Sequence, residues 1–395
     1  VYFQTLDDKK ECVGVYADGK LFFNEMPSDL THTWGYSDFL KGKEIQYAAL
    51  YCGGKTLDEV CPDYLLPRWE KICSKLKAFM RSFKTADVSL EENCFFDLVP
   101  QRFLLEYCYM KDQICQHIFS SFEQPSNYDY QVSLQEILGD MRYRKLNINS
   151  KNLFPVMHEA RARKFSVNLQ KTLISCKFNA FGTKTGRLTT QPGSFPILTM
   201  DRKYRCVVEP TNDFFIELDF NAAELRTLMA LQGKTQPKED IHEWNVKNVY
   251  RGLVTREEAK KRIFAWLYNP DSKDYLSSRA YNRDSVVQKY FTRGQVRTFW
   301  DKTIPSEKRT ALNYIIQSTC AENVLRQMIK VNNYLKDKKS FIAFPVHDSI
   351  IIDLDFEERH LLPNIIKIFG DTALGNFMVN TRAGKDFGNL KKLKV

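Results

Sequence analysis

Two apolar runs that each stop at a carboxylate constrain this chain more than any other feature. In "FFIELDFNAAELRTL" (214–228), Phe214 to Leu218 is β-prone, Asp219 falls where the run should stay buried, and "AAELRTLMALQG" continues with helical spacing. In "SFIAFPVHDSIIIDLDF" (340–356), the β-branched runs "FIAFPV" and "IIIDL" flank His347, Asp348 and Ser349, the pattern of a hairpin with a tight turn. Two strands of this kind can bring Asp219 and Asp348 to one edge of a sheet. Unpaired there, the acids would repel and one would hold its proton. A divalent cation between them removes that penalty, and hard oxygen ligands suit Mg²⁺, which combines carboxylates with substrate phosphates. Either acid alone reads as an ordinary strand end; the pair gains weight from the segment between them.

That segment is "TREEAKKRIFAWLYNP" (255–270). Thr255 and Glu258 have capping-box spacing, so a helix is expected from Arg256, ended by Asn269-Pro270. Arg256, Lys260, Phe264 and Tyr268 are four apart and follow one another along one face. Ala259, Ile263, Trp266 and Leu267 form the apolar face that would pack. The first face, two cations followed by two rings, could hold a triphosphate on Arg256 and Lys260 and stack a base on Phe264. By itself it reads equally well as a solvated face.

A chain of 395 residues is expected to form two or three domains. With 43% hydrophobic and 27% charged residues it is globular, and its net charge of +10 points to an acidic partner, nucleic acid above all. No run approaches about 18 apolar residues, so no membrane partner is expected. The ten cysteines are scattered without a C-x-x-C pair, which reads as reduced, intracellular use and a cytoplasmic setting. The sequence opens at Val1 without Met or an evident leader. Residues 1–125 read as α/β: strand, turn and strand in "VYFQTL", "DDKKE" and "CVGVYADGKLFF", a strand-like "IQYAALY", and a closing helix in "PQRFLLEYCYMKDQICQHIFSSF". "EQPSNYDYQ" has linker composition, 130–175 is helical, and 181–395 mixes strands and helices.

The order of the Asp219 motif, an R-x-x-x-K-x-x-x-F-x-x-x-Y helix and a V-H-D hairpin resembles the family A DNA polymerases, the group of bacterial repair polymerase one and many phage replicases. "FGTKTGRLTT" (181–190), "RTALNYIIQSTCAEN" (309–323) and "DIHEWN" (240–245) resemble further segments of that family. The resemblance covers about 180–395 and is specific only in combination. It implies an α/β (α+β) right-hand polymerase fold, with an antiparallel palm sheet and helical fingers at about 233–305. Template-directed addition of deoxynucleotides to a primer 3′ end is the implied activity. Asp219 and Asp348, helped by the Phe220 carbonyl, would hold two Mg²⁺ ions, with Mn²⁺ as a substitute. Arg256 and Lys260 would bind the triphosphate, Phe264 would pack on sugar and base, and Tyr268 would close over the nascent pair, with Lys260 also assisting the chemistry. Glu224 would be the sugar gate, bonded to Tyr268. Thr185, Arg187, Arg309, Asn313, Gln317 and His347 would contact primer–template DNA.

The chain departs from the family at several points. Ser349 stands where the family has Glu, Asn269 and Ser318 where it has Gly. Only about 35 residues separate "RKLNIN" from Thr185, so the helical thumb, with its linker at 126–180, must be reduced. Arg161, Arg163, Lys164 and Lys184 would then supply much of the phosphate contact, leaving room for a processivity partner. The N-terminal region loosely resembles the family's proofreading exonuclease, an RNase H-like α/β domain, but lacks its acids. "YCYMKD" spaces Tyr107 and Asp112 one residue too far, so the domain is expected to be inactive. A single-subunit RNA polymerase is the alternative enzyme, disfavoured by Glu224. A catalytically dead nucleic-acid-binding protein is the alternative of another class, disfavoured by the survival of both Asp residues with Arg256, Lys260 and Tyr268.

Overall fold

The computed structural model describes residues 2–6, 14–35, 40, 43–53, 55–90, 93–169 and 175–393. The chain divides into two compact units, Val1–Tyr143 and Arg144–Val395. The boundary expected near 125 therefore moves to 143. The second half of "EQPSNYDYQ" is not linker: it opens the helix Tyr128–Tyr143, whose buried Leu134, Ile137, Leu138 and Met141 lie further along. A polar start to an amphipathic helix has the same composition as a linker, which is why the sequence misleads there.

The N-terminal unit holds a mixed five-stranded sheet in the order Lys20–Phe23, Gly14–Ala17, Tyr2–Thr5, His32–Thr33, Gln46–Tyr47. Its first three strands are antiparallel and the last two run parallel to Tyr2–Thr5. The expected turn "DDKKE" lies outside the described residues. Asp18-Gly19 makes a second tight turn, both residues at positive φ. Helix Gln101–Ser121 buries Leu104, Cys108, Cys115 and Ile118, at steps of four, seven and three residues along one helix face. Its core also takes in Trp69 and Ile72 of helix Leu66–Thr85. Among the described residues eight cysteines are free and Cys94 is disulfide-bonded.

The C-terminal unit is built on a five-stranded antiparallel sheet in the order Phe341–Val346, Ser349–Leu354, Phe214–Phe220, Val379–Gly384, Lys391–Lys392. Every residue of Ser349–Leu354 is buried, because helices cover the sheet. The 27-residue helix Lys308–Tyr334 packs on the hairpin strands, and Leu362–Gly370 on the Asp219 strand. Phe220 stacks on Phe369 with ring centroids 4.4 Å apart. The segment from Ile241 to Pro305 carries helices Ile241–Asn248, Arg256–Tyr268, Tyr275–Tyr281 and Arg283–Tyr290, then a small three-stranded sheet. Among the described residues no helix is long and apolar enough to cross a membrane.

Candidate active site

Register alone brings the two acids together. Asp219 is the sixth residue of Phe214–Phe220 and pairs with Ser349 on one side and Asn380 on the other. Val346 pairs with Ser349, so His347 and Asp348 form a two-residue turn, with His347 in the left-handed region at φ 54°. Asp348 thus sits one residue from the position facing Asp219. Asn380 Nδ2 donates to Asp219 Oδ2 at 3.3 Å. Burial pushes the Asp219 carboxyl up to about 6, with Glu217 and Asp348 adding repulsion against the Asn380 hydrogen bond. Burial also raises Asp348, and Glu224 adds to this while Arg187 opposes it. Asp348 Oδ1 is buried without a hydrogen-bond partner. The nearest cation, Arg187 Nη2, is 3.9 Å away, an ion-pair distance too long for a hydrogen bond.

Glu224 enters from the strand-to-helix reversal. Ala222 takes φ 49°, and helix Ala223–Leu231 starts at once, placing Glu224 in its first turn. Glu224 Oε1 accepts from Arg187 Nη2 at 2.7 Å, and Oε2 accepts from the Tyr268 hydroxyl. Burial and the Glu224 charge raise the Tyr268 phenol well above its ordinary range, with a Gln317 hydrogen bond opposing them. Segments around 187, 224, 268, 317 and 348 therefore meet at one place.

Helix Arg256–Tyr268 has the expected capping box, and Ala259, Ile263, Trp266 and Leu267 are its buried residues. On the other face Lys260 is exposed and Phe264 stacks on Tyr268 at 6.2 Å. His242 packs against Phe264 at 5.9 Å, and burial holds its imidazole down at about 4. Arg256 Nη2 donates to Asp240 Oδ2 at 2.8 Å. Burial would raise Asp240, but hydrogen bonds from Arg256, Asn221 and the Glu243 N–H hold it well below the usual carboxylate range.

The remaining predicted residues are more dispersed. Thr185 is buried, its hydroxyl 3.4 Å from that of Thr183. Arg309 and Asn313 line a cleft of about 420 Å³ that also includes Tyr268, and Arg309 pairs with Asp271 at 3.0 Å. His347 is exposed on its turn, and Arg161, Lys164 and Lys184 are exposed. Arg163 is already engaged: its Nη1 donates to the carbonyls of Met157 and His158. Sequence reading missed Asn221 and Asn380. Nothing local marks Asn380, which is 161 residues from Asp219 and meets it only through the sheet. Among the described residues no group of three or more His, Cys, Asp or Glu is arranged to hold a metal ion. Asp219 and Asp348 form a pair only.

No protein-family model matches the chain. It is 24% identical to DNA polymerase I of Borreliella burgdorferi over 57% of this chain and 31% of that protein. The chain thus spans about a third of the length of the curated relative it matches. Its fold is similar to that of the POL domain of Pol1 from M. smegmatis, solved in complex with DNA primer-template and dNTP. The TM-score is 0.55 at 13% identity, covering 73% of this chain and 76% of that one. The chain is thus distantly similar in sequence to a DNA polymerase I, and its fold is polymerase-like α/β.

Proposed function

We propose that the C-terminal unit is a template-directed DNA polymerase that adds deoxynucleotides to a primer 3′ end. The observation that carries this reading is the meeting of Asp219 and Asp348 at one sheet edge beside Glu224, Tyr268 and Arg187. The acid pair fits a divalent cation: both carboxyls are raised by burial, and Asp348 Oδ1 is buried and unpartnered. A cation would remove both penalties. Asp219 and Asp348, with the Phe220 carbonyl, would hold Mg²⁺, or Mn²⁺ in its place. Bound metal would supply charge neutralisation at the phosphates and lower the pKa of the primer hydroxyl.

The chain's own residues do the rest. Arg256 and Lys260 bind triphosphate oxygens, Arg as a planar fork and Lys as a point charge. Phe264 packs on the nucleotide. Tyr268, tied to Glu224, closes that pocket, and Glu224 occupies the space a 2′-hydroxyl would need. Arg187, Thr185, Asn313, Gln317, Arg309 and His347 contact the duplex, so base pairing rather than a protein code selects the nucleotide. The N-terminal unit is read as an exonuclease-like domain kept as scaffold or DNA contact. Its antiparallel strands Tyr2–Thr5, Gly14–Ala17 and Lys20–Phe23 and its long helix Gln101–Ser121 support that reading.

The test is primer extension with Mg²⁺ on defined templates, offering deoxy- and ribonucleotides separately. Extension by the templated deoxynucleotide supports the proposal. Preferred ribonucleotide addition would favour an RNA polymerase, and DNA binding without addition a catalytically dead binding protein.

A further inference from the structure

Asn221 and Asp240 form a buried link between the end of the Asp219 strand and the first turn of the Arg256 helix. Asn221 is 3% exposed and lies two residues after Asp219. Its Nδ2 donates to Asp240 Oδ2 at 2.8 Å, and its Oδ1 accepts from Ile241 N at 2.9 Å. Arg226, fully buried, fixes the same turn. Its Nε donates to the Asn221 carbonyl at 2.8 Å and its Nη2 to Asn221 Oδ1 at 3.1 Å. The other Arg226 donors satisfy the carbonyls of Pro237 and Glu239, at 2.8 Å each. The loop leading to Asp240 is therefore anchored to the strand end by hydrogen bonds that water cannot easily replace.

Asp240 in turn is saturated. Oδ1 accepts from His242 N at 2.9 Å, Glu243 N at 3.1 Å and Arg256 Nε at 3.3 Å. Oδ2 accepts from Asn221 Nδ2 and Arg256 Nη2, each at 2.8 Å. The Nε and Nη2 edge of Arg256 is thus gripped by a carboxylate whose side chain is 20% exposed. Nη1 is held differently, by Glu257 at 2.7 Å, whose side chain is 68% exposed. An ion pair with so exposed a partner is weak and exchangeable. One edge of the guanidinium is fixed, and the opposite donor is the one a phosphate can take.

We infer that Asp240 is a positioning residue for the incoming triphosphate, acting through Arg256 and registered on the Asp219 strand by Asn221. This rests on the polymerase reading above. A purely structural alternative exists, in which Asp240 only caps helix Ile241–Asn248. Asn in its place separates the two, because Asn caps helices as well as Asp does but offers no charged, bidentate partner to Arg256.

The experiment is steady-state single-nucleotide addition by wild type, Asp240→Asn, Arg256→Ala and the double variant, with thermal stability measured alongside. Asp240→Asn should raise KM for the deoxynucleotide about tenfold, by analogy with loss of outer partners around other ligand-binding groups, and most of the loss should fall on KM rather than kcat. In the Arg256→Ala background the same substitution should add little, since its effect runs through that side chain. Asn221→Ala should reproduce the KM effect, and Asn221→Asp should not rescue it. Additive losses in the double variant, or a loss that tracks melting temperature alone, would overturn the inference and leave the polymerase reading intact. Failure of the wild type to add any nucleotide would overturn both.

Discussion

Glu224 uses both carboxylate oxygens inside the site, Oε1 on Arg187 and Oε2 on Tyr268. A surface helix acid favoured only by the dipole would have neither partner. The fixed side chain is what a sugar gate requires, because exclusion by shape fails if the excluding group can swing away. Glu224→Ala should therefore lower the ratio of kcat/KM for deoxy- over ribonucleotide by about a hundredfold. Glu224→Gln, which keeps the shape, should retain most of the ratio. An unchanged ratio in Glu224→Ala with a lower melting temperature would make Glu224 a structural residue only. The position of Glu224 was legible as five residues past Asp219. Its bond to Arg187 was not, because nothing in the sequence says which of several basic residues the turn at 183–186 delivers.

At the scale of elements, the Arg256 helix and the His347–Asp348 hairpin could be read directly. A capping box, a four-residue repeat and a turn between two β-branched runs are local signals, set by neighbours in the chain. Asn221 to Asp240 and Asp219 to Asn380 are contacts between elements and leave no periodic trace. His242 belongs to the second kind. Burial against the Arg256 helix keeps it neutral down to about 4, from an ordinary value of 6.5. Between those values the unfolded chain binds a proton that the native state refuses, so stability is complete above about 6.5 and falls as pH drops. From pH 7.5 to 5 this one group should cost about 2 kcal/mol of unfolding free energy. His242→Phe, which can still pack on Phe264, should remove that part of the acid slope in urea titrations. An identical slope in wild type and variant would show that folding leaves the proton affinity of His242 unchanged.

At the scale of the molecule, composition indicated a basic protein of more than one domain, but not where the division falls. The boundary at 143 depends on which unit buries Leu134, Ile137, Leu138 and Met141, a tertiary fact. Two predictions belong here. The N-terminal sequence does not have the acid spacing of a proofreading exonuclease, and on that reading a mismatched end-labelled primer incubated with Mg²⁺ and no nucleotides should stay intact. Shortening that persists in Asp219→Asn would show an active exonuclease. DNA affinity should depend steeply on salt, with a log–log slope of about −0.9 for each phosphate neutralised. Arg161→Ala and Lys164→Ala should each flatten the slope by about one, whereas Arg163→Ala, whose guanidinium is engaged by its own chain, should leave the slope nearly unchanged. Equal effects from all three would place Arg163 on the DNA. Whether Asp219 and Asp348 jointly support nucleotide addition is decided by single-turnover extension with Asp219→Asn and Asp348→Asn. Each variant should lose about a thousandfold or more in rate, about 4 kcal/mol of barrier. Melting temperatures should stay at or above wild type, since each change removes a buried acid strained by its neighbour. Near-wild-type addition by either folded variant would contradict that joint role.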